Sequence, residues 1–282
     1  MNRRTLRRYK SNAMVALMIA AVVVAVAPLL FILGSLLVRG AGSLNLAFFT
    51  KLPVPPGETG GGVLNAIVGT LIIVGIASVI GVPIGAAAGI FCAEYPGSRL
   101  AVVTRFVSDV MNGTPSIVVG VFAWTFLVAR QHHYSGMAGS IALAMLMIPM
   151  VMRTTEELIK LVPNSLREAA LALGYSRWRT TLSIILRTAL PGIVTGTLLA
   201  IARVAGETAP LLFTSLGNQF LTMKPAQPMA ALPLVVFTYA TGPYPEWHRF
   251  AWAAALVLIV VVLLLSIAAR IATRQRFGAS RG

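Results

Sequence analysis

Two charged residues stand inside an apolar stretch, where their types and spacing could handle an anion. Arg203 and Glu207 lie within Ala189–Leu216, which is long enough to cross a bilayer. A charged side chain at the centre of a membrane helix costs about 2.5–3.5 kcal/mol, so we expect Arg203 to face protein or water. Glu207 follows Arg203 by four residues, so a continuous helix would place both side chains on one face, within ion-pairing reach.

The arginine indicates a site for a tetrahedral oxyanion. A guanidinium group is planar and permanently charged, and it offers a fork of N–H donors. Glu207 would weaken the hold on the anion, which a transport site needs because it must release what it binds. The alternative is that Arg203 and Glu207 only neutralise each other inside a helix bundle. The default that charges within a membrane are functional favours the anion site.

A proline interrupts another apolar stretch, Val110–Ala129. Pro115, preceded by Thr114, lacks a backbone N–H and predicts a kink within a membrane helix. Such kinks often line a pathway, and they also occur where only packing requires them. We therefore add Thr114 and Pro115 to Arg203 and Glu207 as candidate pathway residues.

A polar segment between two apolar runs predicts a short helix with an apolar face. Ser165 and Glu168 have the spacing of a capping box, and Gly174 is placed to end the helix. The residues at helical spacing on one face are Leu166, Ala169, Ala170 and Leu173. This small face is suited to a groove on a partner protein. The alternative is a helix lying on lipid, for which two alanines give little anchoring area.

The elements that must position these residues are membrane helices. The chain has 282 residues, 57% hydrophobic and 11% charged, with a mean hydropathy of +0.83. This composition excludes an ordinary soluble domain and a disordered chain. We predict an all-α bundle forming one transmembrane domain, residues 1–282, with spans at Ala13–Val38, Val63–Ala93, Val110–Ala129, Ser135–Met152, Ala189–Leu216 and Phe250–Ala269. The shorter apolar stretch Met229–Ala240 is predicted to be interfacial or re-entrant.

The basic residues predict the orientation of the bundle. The formal net charge is +15, and most Lys and Arg residues lie at the ends of apolar runs on the side that contains both termini. The excess of Lys and Arg on cytoplasmic loops places both termini in the cytoplasm. The clustering at span ends also argues against nucleic-acid binding, which needs a basic stripe or patch.

The polar segment resembles a known family motif. Glu168-Ala169-Ala170, followed by Gly174 and then by Ile184 and Leu186, is similar to the EAA motif of ABC importer permeases. The resemblance implies that Leu166–Gly174, within a cytoplasmic loop at about 158–188, forms the coupling helix that sits in the cleft of an ATPase subunit. The chain departs from the family pattern at Arg187, where a proline is common.

Three further segments resemble the phosphate-specific transport (Pst) permeases. They are the stretch around Arg203, the run Asn112–Val118 and the start of the last span at Phe250–Ala253. Ala209–Thr214 is similar to the A-type subunit rather than to its C-type partner. The resemblance implies a type I ABC permease fold in a bacterial inner membrane and import of inorganic phosphate past Arg203. The implied partners are a C-type permease, an ATPase dimer and an extracytoplasmic phosphate-binding protein.

The chain itself is expected to be a non-catalytic subunit without a cofactor. It contains no Gly-x-x-x-x-Gly-Lys-Ser/Thr sequence, so ATP and Mg²⁺ are expected on the partner ATPase. Three alternatives stay open within the transporter class: a permease for another oxyanion, one for a small organic solute, or the C-type subunit. A secondary transporter would be expected to show repeats with discontinuous helices, and an enzyme would need a catalytic cluster.

Overall fold

The protein is predominantly helical in the part of the chain that the structure covers. The structure, a computed structural model, describes residues 3–55, 57, 58 and 60–277. Within these ranges the sole β feature is an isolated bridge between Leu216 and Met229. The helices are α1 Arg3–Ala41, α2 Leu46–Thr50, α3 Leu64–Glu94, α4 Arg99–Gly113, α5 Ser116–Gln131, α6 Gly136–Lys160, α7 Asn164–Ala172, α8 Arg177–Val204, α9 Ala209–Thr214, α10 Leu232–Thr241 and α11 Pro245–Phe277.

Five helices are long and apolar enough to cross a membrane. Their crossing segments are Lys10–Ala41, Leu64–Glu94, Gly136–Lys160, Arg177–Val204 and Pro245–Ala268. A sixth span is reached when α4 and α5, which are bent by 105°, are taken as one broken crossing. The predicted all-helical bundle of six spans is confirmed in this form. The predicted spans on α1, α3, α6 and α11 each correspond to one continuous helix.

The predicted span Val110–Ala129 is wrong as a single kinked helix. α4 ends at Gly113 and α5 begins at Ser116, so Thr114 and Pro115 lie between two helices. Thr114 has an extended backbone (φ −77°, ψ 129°), as the steric demand of a following proline favours. Pro115 then occupies the N-cap of α5, a position that needs no intrahelical N–H bond. The proline therefore separates two helices instead of bending one.

The predicted span Ala189–Leu216 is also wrong in its bounds. α8 already begins at Arg177, passes through a π-helical turn at Thr181–Ile185 and ends at Val204. A break over residues 205–208 separates it from the short helix α9. The predicted short segment Met229–Ala240 overlaps the ten-residue helix α10, which is too short to span a bilayer; its interfacial or re-entrant position stays a prediction.

The core is built on α6, which packs closely against α3 and α8 at several glycines. A Cβ atom added at Gly89 of α3 would lie 2.5 Å from the carbonyl oxygen of Met152 in α6. On α8, a Cβ atom at Gly196 would lie 2.1 Å from Thr154 Cγ2. Small residues at such spacing let helix backbones approach closely. The small residue Gly196 on α8 therefore admits a neighbouring helix, and that helix is α6.

Candidate functional site

The four candidate pathway residues meet at one cavity. Its volume is about 170 Å³, and it lies beside Leu146 and Met150, near the centre of the 25-residue helix α6. The cavity therefore sits at mid-height of a spanning helix. It is lined by Met111, Asn112, Thr114, Pro115, Ser116, Leu146, Met150, Arg203, Val204 and Glu207.

Two helix breaks face each other across this cavity. One is the turn between α4 and α5 at Thr114–Pro115, and the other follows α8 at residues 205–208. The segments beyond the breaks are in contact, since a Cβ atom at Gly120 of α5 would lie 2.8 Å from Pro210 Cα in α9. The missing side chain at Gly120 thus lets α5 and α9 approach each other closely.

Arg203 occupies the last turn of α8 and is exposed to the cavity. Its chain neighbours Ala202 and Val204 are buried, so the helix anchors the backbone while the guanidinium stays accessible. After Val204 the chain turns, with the N–H of Gly206 donating to the carbonyl of Arg203 at 3.1 Å. A cation at a helix C-terminus is favoured by the helix dipole. Arg203 thus lies at a helix end. The sequence predicts a position in the middle of a helix, and that prediction is wrong.

The predicted contact between Arg203 and Glu207 is absent. The ion pairs within the described residues join other partners, and Arg203 and Glu207 form none. A pair spaced by four residues meets only on a continuous helix, and α8 ends at Val204, before Glu207. Both side chains instead line the same cavity, with Glu207 half-buried. Mutual neutralisation in a direct pair is therefore not their arrangement.

The start of α5 adds positive potential to the cavity. The first backbone N–H groups of a helix have no partner within it, and the helix dipole makes this end positive. Ser116, the first residue of α5, lines the cavity together with Asn112. Neither residue is among the pathway residues predicted from the sequence. The signal that could have found them is the run of polar side chains on both sides of Pro115.

The short helix α7 has an identifiable residue at each end. Its N-cap is Pro163, without a side-chain hydrogen bond, so the predicted capping box at Ser165 and Glu168 is wrong. Pro163 sets the start, and both residues therefore lie inside the helix. The predicted end at Gly174 is confirmed, because this residue has a φ of +84°. Its N–H donates to Leu171, and that of Tyr175 to Ala170, at 3.0 and 3.1 Å, which is a Schellman motif.

The apolar face of α7 divides into an exposed part and a buried residue. Leu166, Ala169 and Leu173 are exposed, as is Glu168. Ala170 is only 2% exposed, so it packs onto the bundle and is not available to a partner. The prediction that Ala170 belongs to the docking face is therefore wrong. The helix has one exposed and one buried apolar side. Its nine-residue sequence alone does not show which residues belong to which side.

An ion pair fastens α7 to the end of α3. Arg167 Nη1 donates to both carboxylate oxygens of Glu94, at 2.7 and 2.6 Å. The Glu94 side chain is 8% exposed and that of Arg167 is 27% exposed. Together with Ala170, this pair fixes the buried side of α7 and leaves Leu166, Ala169 and Leu173 facing outwards.

Comparison with known proteins identifies the family. The sequence profile described as "Binding-protein-dependent transport system inner membrane component" matches residues 81–276. The chain belongs to this family. The permease is thus a multi-pass inner membrane protein, and the match includes both the cavity and α7.

Curated relatives cover nearly the whole permease. A "Phosphate transport system permease protein PstA" of Yersinia pestis is 49% identical over 266 residues, which are 94% of this chain and 90% of the relative. The protein of that name in Haemophilus influenzae is 45% identical over 266 residues, 94% of each chain. "Phosphate transport system permease protein PstA 1" of Mycobacterium tuberculosis is 38% identical over 279 residues, 96% of this chain and 92% of the relative.

A solved structure confirms the fold of the permease. The inward-facing MetNI methionine ABC transporter matches with a TM-score of 0.64 and 18% sequence identity. The match covers 75% of this chain and 94% of the other. The predicted ABC importer permease fold is therefore confirmed. At this identity the likeness concerns the fold alone.

Proposed function

We propose that the permease is the A-type membrane subunit of an ATP-driven importer of inorganic phosphate. The names of relatives that are 38–49% identical over nearly the full length support this substrate. The observation that carries the proposal is the exposed guanidinium of Arg203 at a cavity beside the centre of α6. A fixed cation near the middle of the membrane would be unfavourable against lipid, and it suits the binding of an anion that crosses the membrane.

The lining of the cavity fits a weakly held tetrahedral oxyanion. The Arg203 guanidinium offers paired N–H donors, and the start of α5 adds a positive dipole end with the Ser116 hydroxyl beside it. Glu207 on the same cavity lowers the positive potential, so the anion is attracted without being trapped. Thr114 and Pro115 also line the cavity and, between α4 and α5, set the position of the α5 start.

A second permease completes the pathway in this proposal. Arg203 is exposed, and so are the apolar residues Ile117, Val118 and Val121 on α5, whose start lines the same cavity. Such a surface would be covered by a C-type phosphate permease, so that each subunit supplies half of the route. An extracytoplasmic phosphate-binding protein would deliver the anion at the outer end.

The energy enters through α7, which is the coupling helix. Leu166, Ala169 and Leu173 present a small apolar face, with Glu168 beside it, that fits a groove on an ATPase subunit. ATP and Mg²⁺ bind to that ATPase dimer, and this chain supplies no cofactor site. The excess of Lys and Arg on the α7 side of the bundle supports a cytoplasmic position for α7 and both chain termini.

Phosphate uptake by the reconstituted transporter tests the proposal. Arg203→Ala should lower uptake at least a hundredfold, and Arg203→Lys should retain part of it, because lysine keeps the charge and loses the fork. Arg130→Ala is the control, since Arg130 is exposed on α5 and does not line the cavity. Co-purification with the other subunits establishes assembly. Undiminished uptake in both Arg203 variants would overturn the anion site, and transport of sulfate in place of phosphate would overturn the substrate.

A further inference from the structure

A charge cluster around one buried carboxylate lies between the coupling helix and the cavity; the side chains of its two cations, Arg105 and Lys160, are 20% and 49% exposed. Glu156 of α6 is fully buried, and its Oε1 accepts hydrogen bonds from Arg105 of α4 and from Lys160 of α6. The distance from Arg105 Nε is 2.6 Å. Placing charges in a protein interior costs several kcal/mol per ion before pairing, and an apolar core is often as stable. The cluster is therefore weak evidence for stability, and its position indicates a role in movement.

Arg105 connects three parts of the inner end. Besides Glu156, its guanidinium donates to the carbonyl oxygens of Cys92 at 2.6 Å and of Pro96 at 3.0 Å. These carbonyls belong to the last turn of α3 and to the connection before α4. Glu94, which holds the coupling-helix residue Arg167, lies between them in the chain. A displacement of α7 would thus be transmitted to the same backbone segment, between Cys92 and Pro96, that Arg105 holds by hydrogen bonds.

Lys160 provides a second route from the coupling helix. It is the last residue of α6, and only residues 161–163 separate it from α7. The partner of Lys160 is the Glu156 carboxylate that also holds Arg105. Both connections of α7, through Arg167 and through the chain itself, therefore converge on Arg105.

Helix α4 leads from this cluster to the cavity. It has 15 residues, so it is about 22 Å long at 1.5 Å per residue. Arg105 lies in its first half, and its C-terminal end, from Met111 to Thr114, forms an edge of the cavity. A shift of Arg105 along α6 would move that edge and the start of α5 relative to Arg203.

The carboxylate of Glu156 permits two arrangements. Both cations bind Oε1, and Oε2 is buried without a hydrogen-bond partner in the structure. Transfer of Arg105 from one oxygen to the other would let α4 step along α6 while the charge stays paired. A linkage between two sites requires an element with two discrete states, and the unoccupied Oε2 offers Arg105 a second position on the same carboxylate.

We propose that Arg105 and Glu156 are positioning residues that transmit the movement of α7 to the cavity. The inference rests on the proposed function, since it concerns how that transport is coupled to ATP hydrolysis. Neither residue lines the cavity, and neither belongs to the exposed face of α7. Breaking the pair is therefore expected to separate ATP hydrolysis from transport without removing the ATPase.

The test compares phosphate imported per ATP hydrolysed in the complete transporter, reconstituted in proteoliposomes with its binding protein. Glu156→Gln keeps the shape and removes the charge, and should lower this ratio at least fivefold while hydrolysis stays within twofold. Asp109→Asn is the matched control, because Asp109 also pairs α4 with α6, through Arg153 at 3.5 Å, but on an exposed surface. This variant should keep the wild-type ratio.

A double variant covers the case in which Glu156→Gln does not assemble. Arg105→Gln with Glu156→Gln removes both charges of the pair and leaves only Lys160 without its partner; because the Lys160 side chain is 49% exposed, the fold should tolerate this better than Glu156→Gln alone. A wild-type ratio in an assembled variant would overturn the inference, as would failure of the double variant to assemble, because the cluster would then serve the fold. Absence of phosphate import by the unaltered transporter would instead overturn the proposed function.

Discussion

The backbone N–H of Leu232 donates a hydrogen bond to Thr70 Oγ1 over 2.8 Å, although the residues are 162 positions apart. Leu232 is the first residue of α10, where the backbone N–H has no partner inside the helix. Thr70 itself donates to the carbonyl of Ala66 at 2.7 Å. A single buried hydroxyl therefore fixes the start of α10 against α3.

Replacing this hydroxyl should weaken the fold. Thr70→Val keeps the side-chain shape and leaves the Leu232 N–H without an acceptor, so we expect a loss of about 1–2 kcal/mol, in the range for such bonds in membrane proteins. The measurement is unfolding of the purified permease in detergent. Thr125→Val is the control, because the exposed Thr125 hydroxyl binds only Val121 of its own helix. Equal stability of the two variants would contradict the role of Thr70.

The glycines of α3 allow a matched test of close packing. Gly89→Ala would bring a methyl group to 2.5 Å from the Met152 carbonyl, whereas Gly75→Ala on the same helix meets nothing within 4 Å. We expect Gly89→Ala to destabilise the permease by about 1–3 kcal/mol, the usual cost of overpacking. Gly75→Ala should be neutral or slightly stabilising, since alanine favours a helix. The measurement is the thermal unfolding midpoint of each variant, and equal midpoints would contradict the prediction.

The end of the coupling helix depends on one backbone conformation. Gly174 has a φ of +84°, which costs other residues about 1–2 kcal/mol. Gly174→Ala should therefore fray α7 and speed hydrogen exchange at the Tyr175 amide about tenfold or more. Gly97→Ala is the control, because Gly97 has neither a positive φ nor a close neighbour. Unchanged exchange at Tyr175 would show that the Schellman motif does not stabilise α7.

Two adjacent alanines should respond differently to the same substitution. Ala169 is exposed and Ala170 is buried against the bundle. Ala169→Trp should leave the stability of the isolated permease unchanged and abolish co-purification with the ATPase, because the bulk falls in the docking groove. Ala170→Trp should destabilise the permease itself. If Ala169→Trp still retains the ATPase, α7 does not dock through this face.

Long apolar runs made the main helices predictable. On α3, α6 and α11, run length alone decides the structure, because a charge-free segment of that length has to cross the bilayer as a helix. The two incorrect spans contain Pro115 and Gly206, residues that permit a break but do not require one. The breaks at these residues are settled by contacts between distant segments, such as that of Gly120 with Pro210.

The candidate site was predictable in its members but not in its geometry. Arg203, Glu207, Thr114 and Pro115 were found by charge and proline inside apolar segments, and they do share a cavity. The expected ion pair required an unbroken helix, which the chain lacks. The pairs Arg167 with Glu94 and Arg105 with Glu156 were missed because their members lie 73 and 51 positions apart. No local pattern reports such a contact.

The bare glycine seam between α3 and α6 limits how the protein can change shape. Gly85 and Gly89 of α3 lie so close to the carbonyls of Ile148 and Met152 in α6 that an added Cβ atom would clash. We therefore expect α3 and α6 to move together as one rigid body. In the proposed transport cycle, the change between outward and inward openings would then fall to the two helix breaks, at Thr114–Pro115 and at residues 205–208, which border the cavity.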